Sequence, residues 1–178
     1  QIGNQYDGYI GLFEGIGKGG SVGNVNMAGG HIEGMSNFGS IAGLNWGTIY
    51  NIVNSAELVC SSGGVGGIVG TNGGVIRNAV NNGTLKIDGR SGGITGYNGD
   101  TVWGNTGILL DVKNNGDITS ESMGGIGGIT GINSSGSSIT GAENTGLVEL
   151  KDGGGSEVGG ISGDNDGLIE NVKNSGNI

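Results

Sequence analysis

Few residues in this chain are equipped for chemistry. His31 and Cys60 are the sole representatives of their types. Zinc sites and nucleophilic triads need His or Cys in number, and although one Ser-His-Asp set is possible by count, no spacing positions it. Carboxylates are more numerous: Asp164 and Asp166 flank Asn165, and Asp88, Asp111, Asp117 and Asp152 are scattered along the chain. A facing pair could cleave a glycosidic bond, and an acidic face with carbonyl oxygens could hold calcium. These acids do not fall at one recurring position, so they are expected to be solvated surface, with no catalytic residue, no metal and no cofactor. The runs Gly63–Gly67 and Gly153–Gly155 lack the helix and Lys-Ser/Thr that a phosphate loop requires. What remains is aromatic: Trp46, and the segment Asp100-Thr101-Val102-Trp103-Gly104-Asn105-Thr106.

The elements that hold these residues follow from a repeat. A phrase close to G-G-I-x-G-x-N-x-G-x-I-x-N-x-x-N-x-G-x-I recurs along the chain, clearest at Gly67-Ile68-Val69-Gly70-Thr71-Asn72 followed by Gly74, Ile76, Asn78, Asn81, Gly83 and Leu85. Copies open at Ser40, Gly93, Gly128 and Gly160, and a degenerate one near Gly11 includes Leu12, Val22 and Asn24. The six copies span 26 to 35 residues, the longest carrying the Asp100–Thr106 insertion. Apolar residues alternate with small or polar ones over short stretches that end at Gly or Asn, which is the pattern of strands. At 46 glycines in 178 residues, helices would lose close to 1 kcal/mol at each interior Gly.

Aligning the copies produces columns of like residues. Ile41, Ile68, Ile94, Ile129 and Ile161 form one; Ile49, Ile76, Leu109, Ile139 and Ile169 a second; Ile52, Ala79, Val112, Ala142 and Val172 a third. Leu58, Leu85, Ile118, Val148 and Ile178 form a fourth, and Phe38, Val65, Ile126 and Val158 a fifth that Ser91 breaks. Asparagine does the same at Asn45, Asn72, Asn98, Asn133, Asn165 and at Asn54, Asn81, Asn114, Asn144, Asn174, as corners needing positive φ or amide ladders would demand. A third Asn column, Asn51, Asn78 and Asn171, is interrupted by Asp111 and Gly141 and is expected to be more tolerant. The predicted fold is all-β: one parallel β-solenoid over residues 1–178, with the right hand that parallel crossovers favour, in about six coils rising ~4.8 Å each. The absence of Pro fits strands that bond on both sides.

The insertion should leave at a corner, the same corner that holds Trp46. The two indoles would then lie about 10 Å apart, two coils along one edge. Trp46, Asp100, Trp103 and Asn105 are therefore the candidate ligand-binding residues, for a sugar ring or a protein partner. The competing reading has Trp103 folding back over a coil loosened by Ser91 and Thr95. Cys60 aligns with Ile87 and Leu150 and is expected to be a buried structural thiol; His31 is expected in a solvated turn.

A net charge of −9 argues against nucleic acid and anionic lipid, and no apolar run is long enough to span a membrane. The repeat phrase resembles the GLUG repeats of bacterial surface and secreted proteins, through Gly67-Ile68-Val69-Gly70-Thr71-Asn72-Gly73-Gly74-Val75-Ile76-Arg77-Asn78 and its echoes at Gly93, Gly128 and Gly160. The first copy departs most, with Glu14 where Gly70 stands. The resemblance implies an extracellular, non-catalytic repeat module, of the kind found in adhesin-like proteins and upstream of the peptidase domain of immunoglobulin A metallopeptidases. Its partners would be host protein or glycan and other domains of the same polypeptide, and the chain is expected to continue beyond Ile178. The alternative from a different class is a polysaccharide-active β-helix enzyme or glycan-binding module.

Overall fold

The computed structural model describes residues 8–100, 102–121, 124–151 and 157–178. Thr101, Asp152 and the Gly153–Gly155 run lie outside them. The described chain is all-β and contains no helix. Each coil bears four faces, represented in the second coil by Asn37–Gly39 (face 1), Ala42–Asn45 (face 2), Thr48–Asn54 (face 3) and Glu57–Cys60 (face 4). Every strand pairs in parallel with the same face of the next coil, which makes a parallel β-solenoid of five four-faced turns and a sixth turn with three faces.

The register is the one the columns demand. Ile76 stands between Ile49 and Leu109, Leu85 between Leu58 and Ile118, and Ser91 between Val65 and Ile126. One-residue slips would turn each of these side chains to water, so the buried columns fix the pairing.

The interior is divided in two. Ile41, Ile68, Ile94 and Ile129 join the face 3 columns in one apolar core, and Phe38, Val65, Ile126, Leu58, Leu85 and Ile118 form another between faces 1 and 4. Between the two cores the coil is pinched, because the bend joining faces 1 and 2 touches the bend joining faces 3 and 4. A Cβ on Gly67 would stand 2.5 Å from Asn81 Cγ, and the equivalent glycines Gly128 and Gly160 meet Asn144 and Asn174 in the same way.

Glycine is required where faces 1 and 2 touch through their backbones. A Cβ on Gly43, Gly70, Gly96 or Gly163 would lie 2.5–2.7 Å from the amide nitrogen of Ile10, Phe38, Val65 or Ile126, each one coil earlier. Glu14 occupies this position in the first coil, where it is exposed.

Two asparagine columns are ladders, buried from the second coil to the fifth and exposed at Asn165 and Asn174 in the sixth. Asn45 Nδ2 donates to Asn72 Oδ1 (2.8 Å), Asn72 to Asn98 (2.9 Å), Asn98 to Asn133 (2.8 Å) and Asn133 to Asn165 (2.7 Å). Asn54, Asn81, Asn114, Asn144 and Asn174 repeat this with 2.8 Å at every step. In the first coil Ile16 and Met27 occupy the two ladder positions, so both ladders begin at the second coil. Positive φ, expected at these columns, falls instead on the third: Asn24, Asn51, Asn78, Asp111 and Asn171 all have φ between 52° and 58°, and Gly141 has 70°. The left-handed residue bends face 3 so that both Ile49 and Ile52 point inward. Its interruptions are thus restricted by backbone, since Asp and Gly are among the types that accept this conformation.

Ser91 breaks an apolar column, is fully buried, and its Oγ has no hydrogen-bond partner. An orphaned buried hydroxyl costs about 1–3 kcal/mol. Ser91→Ala is therefore expected to raise stability by about 1 kcal/mol, read as a higher urea midpoint at unchanged slope; a lower midpoint would show that the hydroxyl is satisfied. Thr95 is not a weak point, because its Oγ1 donates to Thr130 Oγ1 at 3.0 Å.

Candidate functional site

Trp46 follows the ladder residue Asn45 at the corner between faces 2 and 3, its backbone N–H bonded to the Ile16 carbonyl at 2.7 Å. Gly73, Gly99, Ser134 and Asp166 hold the same place in later coils, their N–H groups bonded to Asn45, Asn72, Asn98 and Asn133 carbonyls. The insertion leaves here in the fourth coil. Asp100 and Asn105 close it with two backbone hydrogen bonds of 2.7 and 3.1 Å, the one antiparallel bridge among the described residues.

This closed loop reaches back across the third coil to the second. Trp46 Nε1 donates to Asp100 Oδ2 at 3.0 Å, while Asp100 Oδ1 accepts the N–H groups of Val102 (3.0 Å) and Trp103 (3.2 Å). The indoles meet edge to face, with centroids 6.3 Å apart and an interplanar angle of 78°. They are closer than a simple two-coil separation because the loop crosses Gly73, where a Cβ would lie 2.8 Å from Asn105 Cβ and 3.0 Å from Trp46 Cδ1. Trp46, Asp100, Trp103 and Asn105 thus converge. Trp103 does fold back, but onto Trp46 and not onto a weak coil.

Burial divides the four residues by task. Asp100 is 5% exposed and its carboxylate is occupied by three N–H donors. Trp46 and Asn105 are half-buried. Val102 and Trp103, at 80% and 66%, are the two most exposed large apolar side chains of the loop.

The remaining candidates do structural work. Cys60 stacks on Ile87 inside the second core, its Sγ 2.7 Å from the Ser62 carbonyl. Burial pushes its thiol above the ordinary range, against backbone hydrogen bonds with Ser36 and Ser62, which pull it down. The unfolded thiol ionises near pH 8.5, so this contribution to stability is intact below that pH and is lost as pH climbs toward the higher folded value. Native Cys60 is therefore expected to resist iodoacetamide at pH 8 and to react at the unfolded rate only in denaturant. Prompt native labelling would contradict the burial.

His31 opens the strand His31–Gly34 and does not sit in a turn. Its Nδ1 lies 3.2 Å from Glu57 Oε2, and Lys86 Nζ lies 2.7 Å from Glu57 Oε1. Lys86 first and His31 second hold Glu57 below the usual carboxylate range. Glu143 is lowered in the same way by Lys113 and Lys173, one coil to either side. Asp88 accepts the N–H of Glu121 at 3.2 Å and Asp117 that of Leu147 at 2.9 Å. Among the described residues, no three His, Cys, Asp or Glu side chains gather as a metal would need.

Comparison with family models, with curated proteins and with solved structures finds no match for the chain. Fold and corner together define a parallel β-solenoid with one loop-built aromatic corner.

Proposed function

We propose that the chain is a non-catalytic structural and adhesive repeat module of a larger bacterial surface or secreted protein. The observation that carries this reading is the pair of asparagine ladders running unbroken from the second coil to the sixth. The rungs join neighbouring coils through amides that are buried from the second coil to the fifth, so the coils are tied lengthwise into a stiff spacer, and polar chains of this kind strengthen one another in a dry interior. The carboxylates support it too, since Asp88, Asp100, Asp117, Glu57 and Glu143 are engaged in links within or between coils. No described helix is long and apolar enough to cross a membrane.

The likeness of the repeat phrase to GLUG repeats supports an extracellular position. The module would sit in an adhesin-like protein or beside the peptidase domain of an immunoglobulin A peptidase-like protein, spacing other domains from the envelope and contacting host protein or glycan. Antibody against the chain is expected to label intact source cells; labelling only after permeabilisation overturns the surface assignment. Release of reducing ends from polysaccharide by the purified chain, above a heat-denatured control, overturns the non-catalytic one.

A further inference from the structure

We propose that the Trp103 corner is a stacking site for a neutral pyranose ring of an oligosaccharide, which rests on the adhesive reading above and names its ligand class. In an edge-to-face pair at most one face of Trp103 is covered, and at 66% exposure the other is open to solvent. That open face is held in place: Asp100 Oδ1 accepts the Trp103 N–H, and Trp46 abuts the ring. Ordering an aromatic platform before the ligand arrives removes an entropic cost of binding.

An indole face offers an apolar plate to the C–H side of a sugar, whose hydroxyls then need partners at the plate's rim. Asn105, which closes the loop that carries the plate, would supply them. It stands at the other end of the Asp100 bridge, and its side-chain amide, a donor and acceptor together, makes no bond to any described residue. Charge decides between sugars: the Asp100 carboxylate stands beside the plate and the chain carries −9, which disfavours uronates and sulfated sugars. With its oxygens taken by three N–H groups, Asp100 serves as scaffold, so the sugar is bound and not cut.

The chain has two tryptophans and both are here, so its intrinsic emission reports this corner alone. Titration with maltohexaose, cellohexaose and chitohexaose is expected to shift that emission for at least one of them, with a dissociation constant on the order of 1 mM. Oligogalacturonate is expected to leave it unmoved. By calorimetry, Trp103→Ala should weaken binding at least tenfold and Asn105→Ala several-fold, with unchanged far-UV circular dichroism, while Val102→Ser should match the parent. No shift with any neutral hexasaccharide up to tens of millimolar overturns the proposal and leaves the spacer reading standing. Preferred binding of the anionic sugar also overturns it. So does a Val102→Ser loss equal to that of Trp103→Ala, since a tip that works through both side chains is built for a protein surface. Shortening of the bound hexasaccharide would overturn the non-catalytic reading and keep the stacking site.

Discussion

Asn81→Ala is expected to cost about 4 kcal/mol, with a correspondingly lower urea midpoint, because four hydrogen-bonding ends lose their partner at once. Asn81 Nδ2 donates to the Gly83 carbonyl (2.9 Å) and to Asn114 Oδ1 (2.8 Å), and its Oδ1 accepts Asn54 Nδ2 (2.8 Å) and the Gly83 N–H (3.2 Å). All of these groups are buried, and water cannot replace the missing amide without opening the waist where Gly67 presses on it. Asn78, three residues away, provides the contrast. It is exposed and holds φ at 52°, so Asn78→Gly should fall within about 0.5 kcal/mol of the parent, whereas Asn78→Ala should lose ~1–2 kcal/mol to backbone strain. Equal midpoints for Asn81→Ala and Asn78→Gly would show that the ladder contributes nothing to holding the coils.

Gly70→Ala should be worse still. The new methyl would lie 2.7 Å from Phe38 N, 2.8 Å from the Gly43 oxygen and 2.9 Å from the Asn37 carbonyl carbon, all of them backbone atoms. A side chain could rotate away; two hydrogen-bonded sheets cannot separate locally without breaking register. Loss above about 4 kcal/mol, beyond the usual range for overpacked cores because the clash is with backbone, is expected, with little folded protein recovered. Gly17→Ala, where nothing lies within 4 Å, should change the midpoint by less than about 0.5 kcal/mol. If Gly70→Ala folded as well as Gly17→Ala, the close contact of faces 1 and 2 would be disproved.

The coil stack was legible in the sequence because a solenoid repeats one environment per column. Ile49, Ile76, Leu109 and Ile139 are alike because each meets the same neighbours one strand spacing away, and their pairing follows directly. The pinched interior was not legible. Gly67 and Asn81 touch across the coil, and nothing in a list of columns says which column faces which. The third Asn column looked permissive because its residue types vary, yet what Asn78, Asp111 and Gly141 share is tolerance of positive φ, a backbone property invisible to a side-chain comparison.

The corner was half legible. Composition pointed to Trp46 and Trp103, and the insertion occurs once, so no repeat could show the path by which it returns. One signal was available: Gly73 stands between the two tryptophan corners, and a bare position there leaves room for a crossing chain.

Ladder direction also has an electrical consequence. Backbone bonds between coils run both ways along the axis, as when Ile41 N–H points to Ile68 while Trp46 N–H points to Ile16, so peptide dipoles largely cancel. The amides of both ladders all point their N–H groups toward the last coil. Their moments add, as peptide moments do in a helix, leaving the sixth coil electropositive with respect to the second. Glu157, Asp164, Asp166 and Glu170 gather in that sixth coil, where their negative charge offsets the accumulated polarity of the amide stacks.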